Sequence, residues 1–218
     1  MPLLSEISES VVRVDSAGIF TDENRAADYP YIDYLVNNAR GIVIAEDWSK
    51  NKRIDPGNLQ IITLKKDDTI QDSNAYVRFE VPGGVLMLDR NNDGFRYVGS
   101  QTENLQYMRA RSRGEASVFR HRVTTFNNPK FVTWLYDGRY IEVYGNTDIE
   151  KIKVEAVFEN PLFIPNFNVL YDQYPISNDL IPMVEMYVKK NYMDFIYSKQ
   201  PDMVSSSEDI KPLPPVRL

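Results

Sequence analysis

An Asp-Gly pair between two strand-like runs is the sequence feature that most limits how this chain can fold. The runs Lys130–Tyr136 and Arg139–Tyr144 are rich in β-branched and aromatic residues, and Asp137-Gly138 joins them. Asp-Gly suits the positive-φ positions of a type I′ turn, whose twist matches two antiparallel strands. The sequence therefore predicts a two-residue hairpin turn at Asp137-Gly138, with positive φ at Gly138, within an antiparallel sheet.

Other stretches show strand patterns as well. In Tyr76–Val81 the apolar residues Val77, Phe79 and Val81 alternate with more polar ones, which is typical of a half-buried strand. Further strand-like stretches are residues 11–14, 59–64, 85–88, 95–98 and 151–158. The first of these, with Val11, Val12 and Val14, predicts a short strand near the start of the chain.

Two long stretches have the periodicity of amphipathic helices. The first, at about residues 29–52, repeats apolar residues every three or four positions and has Pro30 in its first turn. These apolar residues are Ile32, Leu35, Val36, Ala39, Ile42 and Val43. The second helix is predicted at about residues 179–197. A third helix, with weaker periodicity, is predicted at residues 103–122.

Together these patterns predict an α+β fold. We expect an antiparallel β-sheet or sandwich with two long amphipathic helices and extended terminal arms. Residues 1–27 would form an N-terminal arm, residues 28–199 one structural domain, and residues 200–218 an extended Pro-rich arm. The last segment cannot bury enough apolar surface to order itself, so we expect it to dock on an adjacent subunit or on another protein of the same assembly, with Pro212, Pro214 and Pro215 keeping it extended.

Composition excludes several classes of function. The chain has no Cys, which removes disulfides, thiolate nucleophiles and thiolate metal sites, and suits folding in a reducing cytoplasm. We expect no signal peptide and no contact with a membrane, because no apolar run is long enough for either. A net charge of −6 argues against a general nucleic-acid coat, although it permits a local basic stripe.

A six-residue motif resembles the beginning of a calcium-binding loop. The stretch Asp89–Gly94 places Asp89, Asn91 and Asp93 at the first three ligand positions and Gly94 at the sixth. Ser100 stands at the twelfth position, where a bidentate Glu would be needed, and strand patterns flank the motif. A plain hairpin turn is the competing interpretation, because Asn and Asp also favour tight turns.

No catalytic constellation is visible in the sequence. His121 is the only histidine, no strand-to-helix serine motif accompanies it, and no glycine-rich phosphate loop is present. A pair of acidic residues that converge in space is the one catalytic arrangement that the sequence leaves open. We therefore expect a protein that is not an enzyme and needs no cofactor.

An arginine-rich segment is the main candidate for contact with a partner. It contains Arg109, Arg111, Arg113, Arg120 and Arg122. A solvated or salt-bridged face is one interpretation. The functional alternatives are docking of an acidic protein and passive contact with DNA phosphates, and the acidic overall charge favours the protein.

Several stretches, taken in order, carry a resemblance to a known family. They are the helix Tyr31–Arg40, which leads to Glu46–Trp48, the hairpin Trp134–Tyr144, and Val157–Pro161, which is followed by Tyr174–Ile176 and the closing helix. Over most of residues 28–197 the chain resembles the neck-ring, or head–tail connector, proteins of tailed phages with podovirus-like particles, notably the crAss-like group.

The resemblance implies a virion structural protein. It implies a ring of identical subunits, dodecameric in number, that lies between portal and tail, extends the DNA channel and docks tail components. Its partners would be its own copies, the portal protein and other neck or tail proteins. It would be made in the host bacterial cytoplasm and reside in the neck or tail of the virion. Two alternatives remain open: a calcium-dependent ligand-binding or adhesin-like domain, and a hydrolase with an unrecognised carboxylate pair.

Overall fold

The computed structural model of the chain describes seven ranges of residues. These are residues 2–15, 22–67, 76–89, 92–101, 105–118, 132–145 and 148–199. Within them lie three long helices, which are α1 (Leu4–Asp15), α2 (Asp22–Asn51) and α3 (Ile181–Lys199). None of the described helices is long and apolar enough to cross a membrane.

The two predicted amphipathic helices are confirmed as α2 and α3. Helix α2 begins earlier than expected, so Pro30 lies inside the helix and not in its first turn. The helix ends at Asn51 because Lys52 adopts a left-handed conformation, with φ of 52°. The Lys52 N–H donates to the Trp48 carbonyl at 2.7 Å, which satisfies one of the last carbonyls of the helix. Pro56–Asn58 then form a short 3-10 turn.

The strand predicted around Val11 and Val12 is wrong, because this stretch belongs to helix α1. Leu4, Ile7 and Val11 are spaced by three and four residues and are buried on one face of the helix. The buried Ser8 hydroxyl also donates to Asp33 of α2 at 2.6 Å. Contact with α2 and α3 outweighs the strand preference of neighbouring β-branched residues.

In the described part of the chain, nine strands form three sheets. The strands are β1 (Gln60–Lys65), β2 (Tyr76–Glu80), β3 (Met87–Asp89), β4 (Asn92–Asp93), β5 (Phe95–Ser100), β6 (Met108–Arg109), β7 (Thr133–Tyr136), β8 (Tyr140–Tyr144) and β9 (Lys151–Ala156). The first sheet has the order β1-β9-β5 and is antiparallel. The second has the order β2-β8-β7-β6, in which β6 runs parallel to β7 and the other pairs are antiparallel. Strands β3 and β4 form a separate hairpin.

The helix predicted at residues 103–122 is wrong for most of the described part of that stretch. Residues 113–118 are helical, but Met108–Arg109 form β6 beside β7. Tyr107 is buried in the sheet core, and its N–H donates to the Val98 carbonyl at 2.9 Å. The weak helical periodicity therefore gives way to backbone hydrogen bonds with two existing strands.

The central hairpin is confirmed, but its turn is shifted by one residue. Gly138 has a φ of 99°, as expected, yet the Asp137 N–H donates to the Tyr140 carbonyl at 3.1 Å and so closes the strand pair. The two central residues are therefore Gly138 and Arg139, with glycine first, which is the type II′ pattern and not type I′. The Asp137 carboxylate accepts from the N–H groups of Arg139 and Tyr140 at 3.0 and 2.7 Å. Asp137 thus stabilises the turn from the position just before its two central residues.

Two hydrophobic clusters form the core. The helical cluster joins α1, α2 and α3, with Val36, Val43 and Val184 fully buried. The other cluster fills the space between the first and second sheets, where Phe79, Ile141 and Phe158 are fully buried. Ile42, predicted on the apolar face of α2, is instead 47% exposed, because it lies at the edge of that face.

A buried guanidinium joins the helices to the loops around the sheets. Arg40 of α2 is fully buried and donates to three backbone carbonyls. Its Nε, Nη1 and Nη2 lie 2.7, 2.9 and 3.2 Å from the carbonyl oxygens of Pro175, Phe158 and Asn58 respectively. Burial lowers the pKa of Arg40, while Tyr174, whose ring centre is 5.8 Å away, acts to raise it. One side chain thereby fixes three separate segments against α2.

We expect Arg40→Met to destabilise the fold by about 2–4 kcal/mol, because three buried carbonyls lose their donor. Met keeps most of the stem volume, so lost packing contributes little. The free energy of unfolding, measured by circular dichroism in denaturant, checks this. The control is Arg139→Met, which removes an exposed ion pair with Glu80 and should change stability little. Equal stability of both variants and the wild type would contradict the role of Arg40.

Candidate subunit interface

The calcium-like motif is a β-hairpin that pairs with an arginine. Met87 and Asp89 of β3 face Asp93 and Asn92 of β4 across the hairpin. Both carboxylate oxygens of the buried Asp93 accept hydrogen bonds from the Arg109 guanidinium. Asp89 is exposed, and Asn91 lies outside the described residues. Asp93 therefore already has a cationic partner from its own chain.

The described residues contain no group of three or more His, Asp or Glu side chains that could hold a metal ion. His121 lies outside the described residues, so its surroundings stay a matter of prediction.

Two of the predicted arginines are used inside the subunit. Arg109 pairs with Asp93, and its guanidinium also lies 5.2 Å from the centre of the Trp134 ring. Arg113 pairs with Glu142 of β8 at 2.8 Å while its side chain remains 62% exposed. Arg111 is exposed, and its backbone N–H donates to the Glu115 carboxylate at 2.7 Å. Arg120 and Arg122 lie outside the described residues, as do Pro212, Pro214 and Pro215.

Glu142 is a fully buried carboxylate that holds two arginines. Arg78, its direct neighbour on β2, and Arg113 both place Nη2 at 2.8 Å from its Oε1. The Tyr144 hydroxyl donates to its Oε2 at 2.7 Å. Desolvation acts to raise the pKa of Glu142, but the hydrogen bonds from Tyr144, Arg113 and Arg78 together hold it below its ordinary value. Glu142 is therefore ionised when it binds these groups.

The sequence analysis did not single out Glu142, because an acidic residue that alternates with apolar neighbours on a strand ordinarily faces solvent. Residues 110–116 cover that face of the second sheet, where Ala110, Ala116 and Tyr144 form a small buried cluster. The opposite charges of Arg78 and Glu142 were visible in the sequence, but the strand pairing that brings them together was not.

The loop after β9 exposes three large apolar side chains. Phe163, Leu170 and Tyr171 are 67%, 69% and 79% exposed, respectively. The loop is ordered by its own hydrogen bonds: Asn160 caps the 3-10 turn Pro161–Phe163, and the Asn168 side chain accepts from the Leu170 N–H at 3.0 Å. Apolar side chains held outward in this way are typical of a protein–protein contact.

An open strand edge lies beside the same loop. Strand β1 is the outer strand of the first sheet, and a groove of about 570 Å³ separates it from residues 164–175. Gln60 to Thr63 line one wall of the groove, and Ile164 to Phe167 line the other. Strand β9 contributes nothing to the lining, so the groove lies beside the outer edge of β1 and not over the face of the sheet.

Backbone groups of β1 point towards the outer edge. The Lys66 N–H donates to the Glu150 carbonyl at 2.8 Å, so residues 60, 62 and 64 are the ones hydrogen-bonded to β9. Ile61 and Thr63 then direct their N–H and C=O groups away from β9. Beyond Lys65 the outer side of the strand is taken up by β2, where the Asp67 N–H donates to the Arg78 carbonyl at 3.0 Å. The Ile61 side chain is 63% exposed, and the Gln60 side-chain oxygen is buried without a partner among the described residues. Position at the edge of a sheet cannot be read from the sequence of a strand, which is why this site was missed.

A protein-family model matches most of the chain. The family described as phage tail ring protein 2, defined for crAss-like phages, matches residues 19–210 of the 218. That range includes α2, α3, all three described sheets and the groove beside β1. No curated protein matches the chain.

We expect Glu142→Gln to lower stability at neutral pH by about 2 kcal/mol, because it weakens charge-assisted hydrogen bonds in a buried site. The pKa of the Glu142 carboxyl is lower in the folded protein than its ordinary value of 4.5. Ionised Glu142 therefore stabilises the fold at a pH above that ordinary value, and this stabilisation is lost as the pH falls through the lowered pKa. The variant should therefore lose less stability than the wild type on acidification. Unfolding measured between about pH 6 and pH 3 checks the difference.

The matched control for that measurement is Glu80→Gln, since Glu80 is 55% exposed in its ion pair with Arg139. Its acid profile should follow that of the wild type. If Glu142→Gln shows the wild-type acid slope, the buried network does not contribute as described.

Proposed function

This chain belongs to the phage tail ring protein 2 family, and on that premise we propose that it forms a ring in the phage neck, between portal and tail. The family match confirms the resemblance drawn from the sequence and makes the chain a structural protein of the virion that assembles with copies of itself. The match over residues 19–210 is the observation that carries the proposal.

The surface of the subunit supports assembly. A closed ring needs two different surfaces on each subunit that fit each other, so that every copy contacts the next in the same way. The exposed Phe163, Leu170 and Tyr171 and the open edge of β1 lie on or beside one ordered loop. We assign this loop and strand edge to one side of the contact between subunits. The dodecamer that the resemblance implies is part of the proposal.

The distribution of charge supports passive conduction of DNA. Strong binding to DNA requires exposed Lys and Arg that release counterions from the phosphates. Here the net charge is −6, and Arg109 and Arg113 are already paired with Asp93 and Glu142. We propose that the ring extends the DNA channel without holding the DNA, which suits a passage that the genome must leave.

The arginine-rich segment is better suited to a protein partner. Arg111 and Arg113 remain exposed, and Arg120 and Arg122 follow in the sequence. We propose that this segment docks an acidic surface of the portal or of another neck or tail protein. Glu142 would keep Arg113 in place for that contact.

The proposal assigns no catalytic step and no cofactor to the chain. The hairpin gives no support to the calcium alternative, because the Asp93 carboxylate already binds the Arg109 guanidinium. We propose that the protein is made in the host bacterial cytoplasm and functions in the neck of the virion.

We expect the purified full-length chain to form one discrete assembly, because ring contacts close on themselves. Native mass spectrometry gives the number of subunits, and electron microscopy gives the shape. EDTA should change neither. A protein that stays monomeric over a wide range of concentrations would contradict self-assembly, and dissociation by EDTA would support the calcium alternative.

A further inference from the structure

The outer edge of strand β1 is open from Gln60 to Thr63, where it lines the groove, and is closed by β2 at Lys66. Strand β1 is six residues long, contains no proline or glycine, and carries the exposed Ile61 at the groove. Natural proteins usually cover such an edge or interrupt it, because its free N–H and C=O groups can pair with another strand. The groove beside it runs along four residues of the strand and leaves room for part of an extended segment, which points to strand addition as its use.

We infer that the groove binds residues 202–211 of a neighbouring copy of this chain, as a strand added to β1. This inference rests on the proposed ring, since it requires copies placed side by side. Residues 200–218 follow helix α3, so every subunit of an assembly carries one such segment and one groove. Equal numbers of segments and grooves allow each copy to engage the next around a closed ring.

Proline positions select the part of the segment that can pair. A residue in a strand ladder must donate its N–H, which proline lacks. Pro201 and Pro212 bracket ten residues without proline, and ten residues exceed the length of β1. Residues 212–215, with three prolines, cannot form a regular ladder and would leave the groove.

Charge indicates the direction of the added strand. Lys65 and Lys66 stand just beyond the groove, at the C-terminal end of β1. Strand β2 closes the edge there, since Lys66 is bridged to Phe79, so the added segment must leave the edge at this point. If the segment runs parallel to β1, Glu208 and Asp209 lie where it leaves, near the two lysines. In that register the three serines at 205–207 lie next to Ile62, Thr63 and Leu64, and a donor from the added strand could reach the unpartnered oxygen of Gln60.

The absence of cysteine allows a direct test by cross-linking. The chain contains no native thiol, so each disulfide reports only the two positions chosen. Thr63→Cys places a thiol on an exposed side chain that lines the groove. It is combined in turn with Ser205→Cys, Ser206→Cys or Ser207→Cys in the full-length chain. Adjacent strands place paired Cβ atoms within the reach of a disulfide, and scanning three serines covers a shift of register.

Mild oxidation should convert at least one double-cysteine chain into a ladder of covalent oligomers on a denaturing gel. A ladder from a chain whose two single-cysteine versions do not dimerise requires that groove and segment belong to different copies. The matched control replaces Thr63→Cys by Ser49→Cys, an exposed position on α2, and should give no ladder. Each single-cysteine chain can form nothing larger than a dimer.

Three results would overturn the inference. An intramolecular disulfide that leaves a monomer would show that the groove holds the segment of its own chain. Equal ladders from Thr63→Cys and Ser49→Cys would show that the segment has no defined site. The lack of any product at all three serines would exclude residues 202–211 as the occupant. The native mass of the wild-type chain is measured in parallel. If the wild type forms a ring and no cross-link appears, only this inference is wrong. If the wild type is a monomer, the proposed ring is wrong as well.

Discussion

The burial of the Arg40 guanidinium is the interaction on which the arrangement of helices and sheets depends. A charged group is costly to bury, and this one is compensated by three carbonyl acceptors, from Asn58, Phe158 and Pro175. Those carbonyls belong to the turn before β1, the segment after β9 and the loop before α3. Because one planar group must satisfy all of them, the positions of the first sheet and of α3 relative to α2 are linked. The groove beside β1 follows from that placement.

Ion pairs inside the subunit determine what remains on its surface. Glu142 and Asp93 are buried acceptors that engage Arg78, Arg113 and Arg109. The arginine-rich segment is therefore partly neutralised, and its structural role is to cover one face of the second sheet. In the proposed ring, the subunit contacts its neighbours through a strand edge and exposed apolar side chains. Such contacts fit a permanent assembly better than a surface that binds and releases nucleic acid.

The sequence could predict elements whose signal is local. The period of two in Tyr76–Val81 and the period of three to four in α2 depend on residues a few positions apart, and both were confirmed. The stretch at Val11 and the segment at 103–122 failed because their local signals were weak and distant partners decided the outcome. Arg109 and Arg113 were identified as special residues, but their roles depend on Asp93 and Glu142, which only folding brings near.

The sequence by itself determined the α+β class, the central hairpin, the two long helices and the resemblance to phage ring proteins. These follow from side-chain periodicity and turn chemistry, which act over short distances along the chain. Tertiary structure alone decided that β1 lies at an edge, that Glu142 is buried and that Arg40 joins three segments. Each of these depends on which strands pair and in what order, and the hydrophobic pattern of a strand is the same whichever neighbours it has. The order of strands is fixed only when all the apolar faces are buried together.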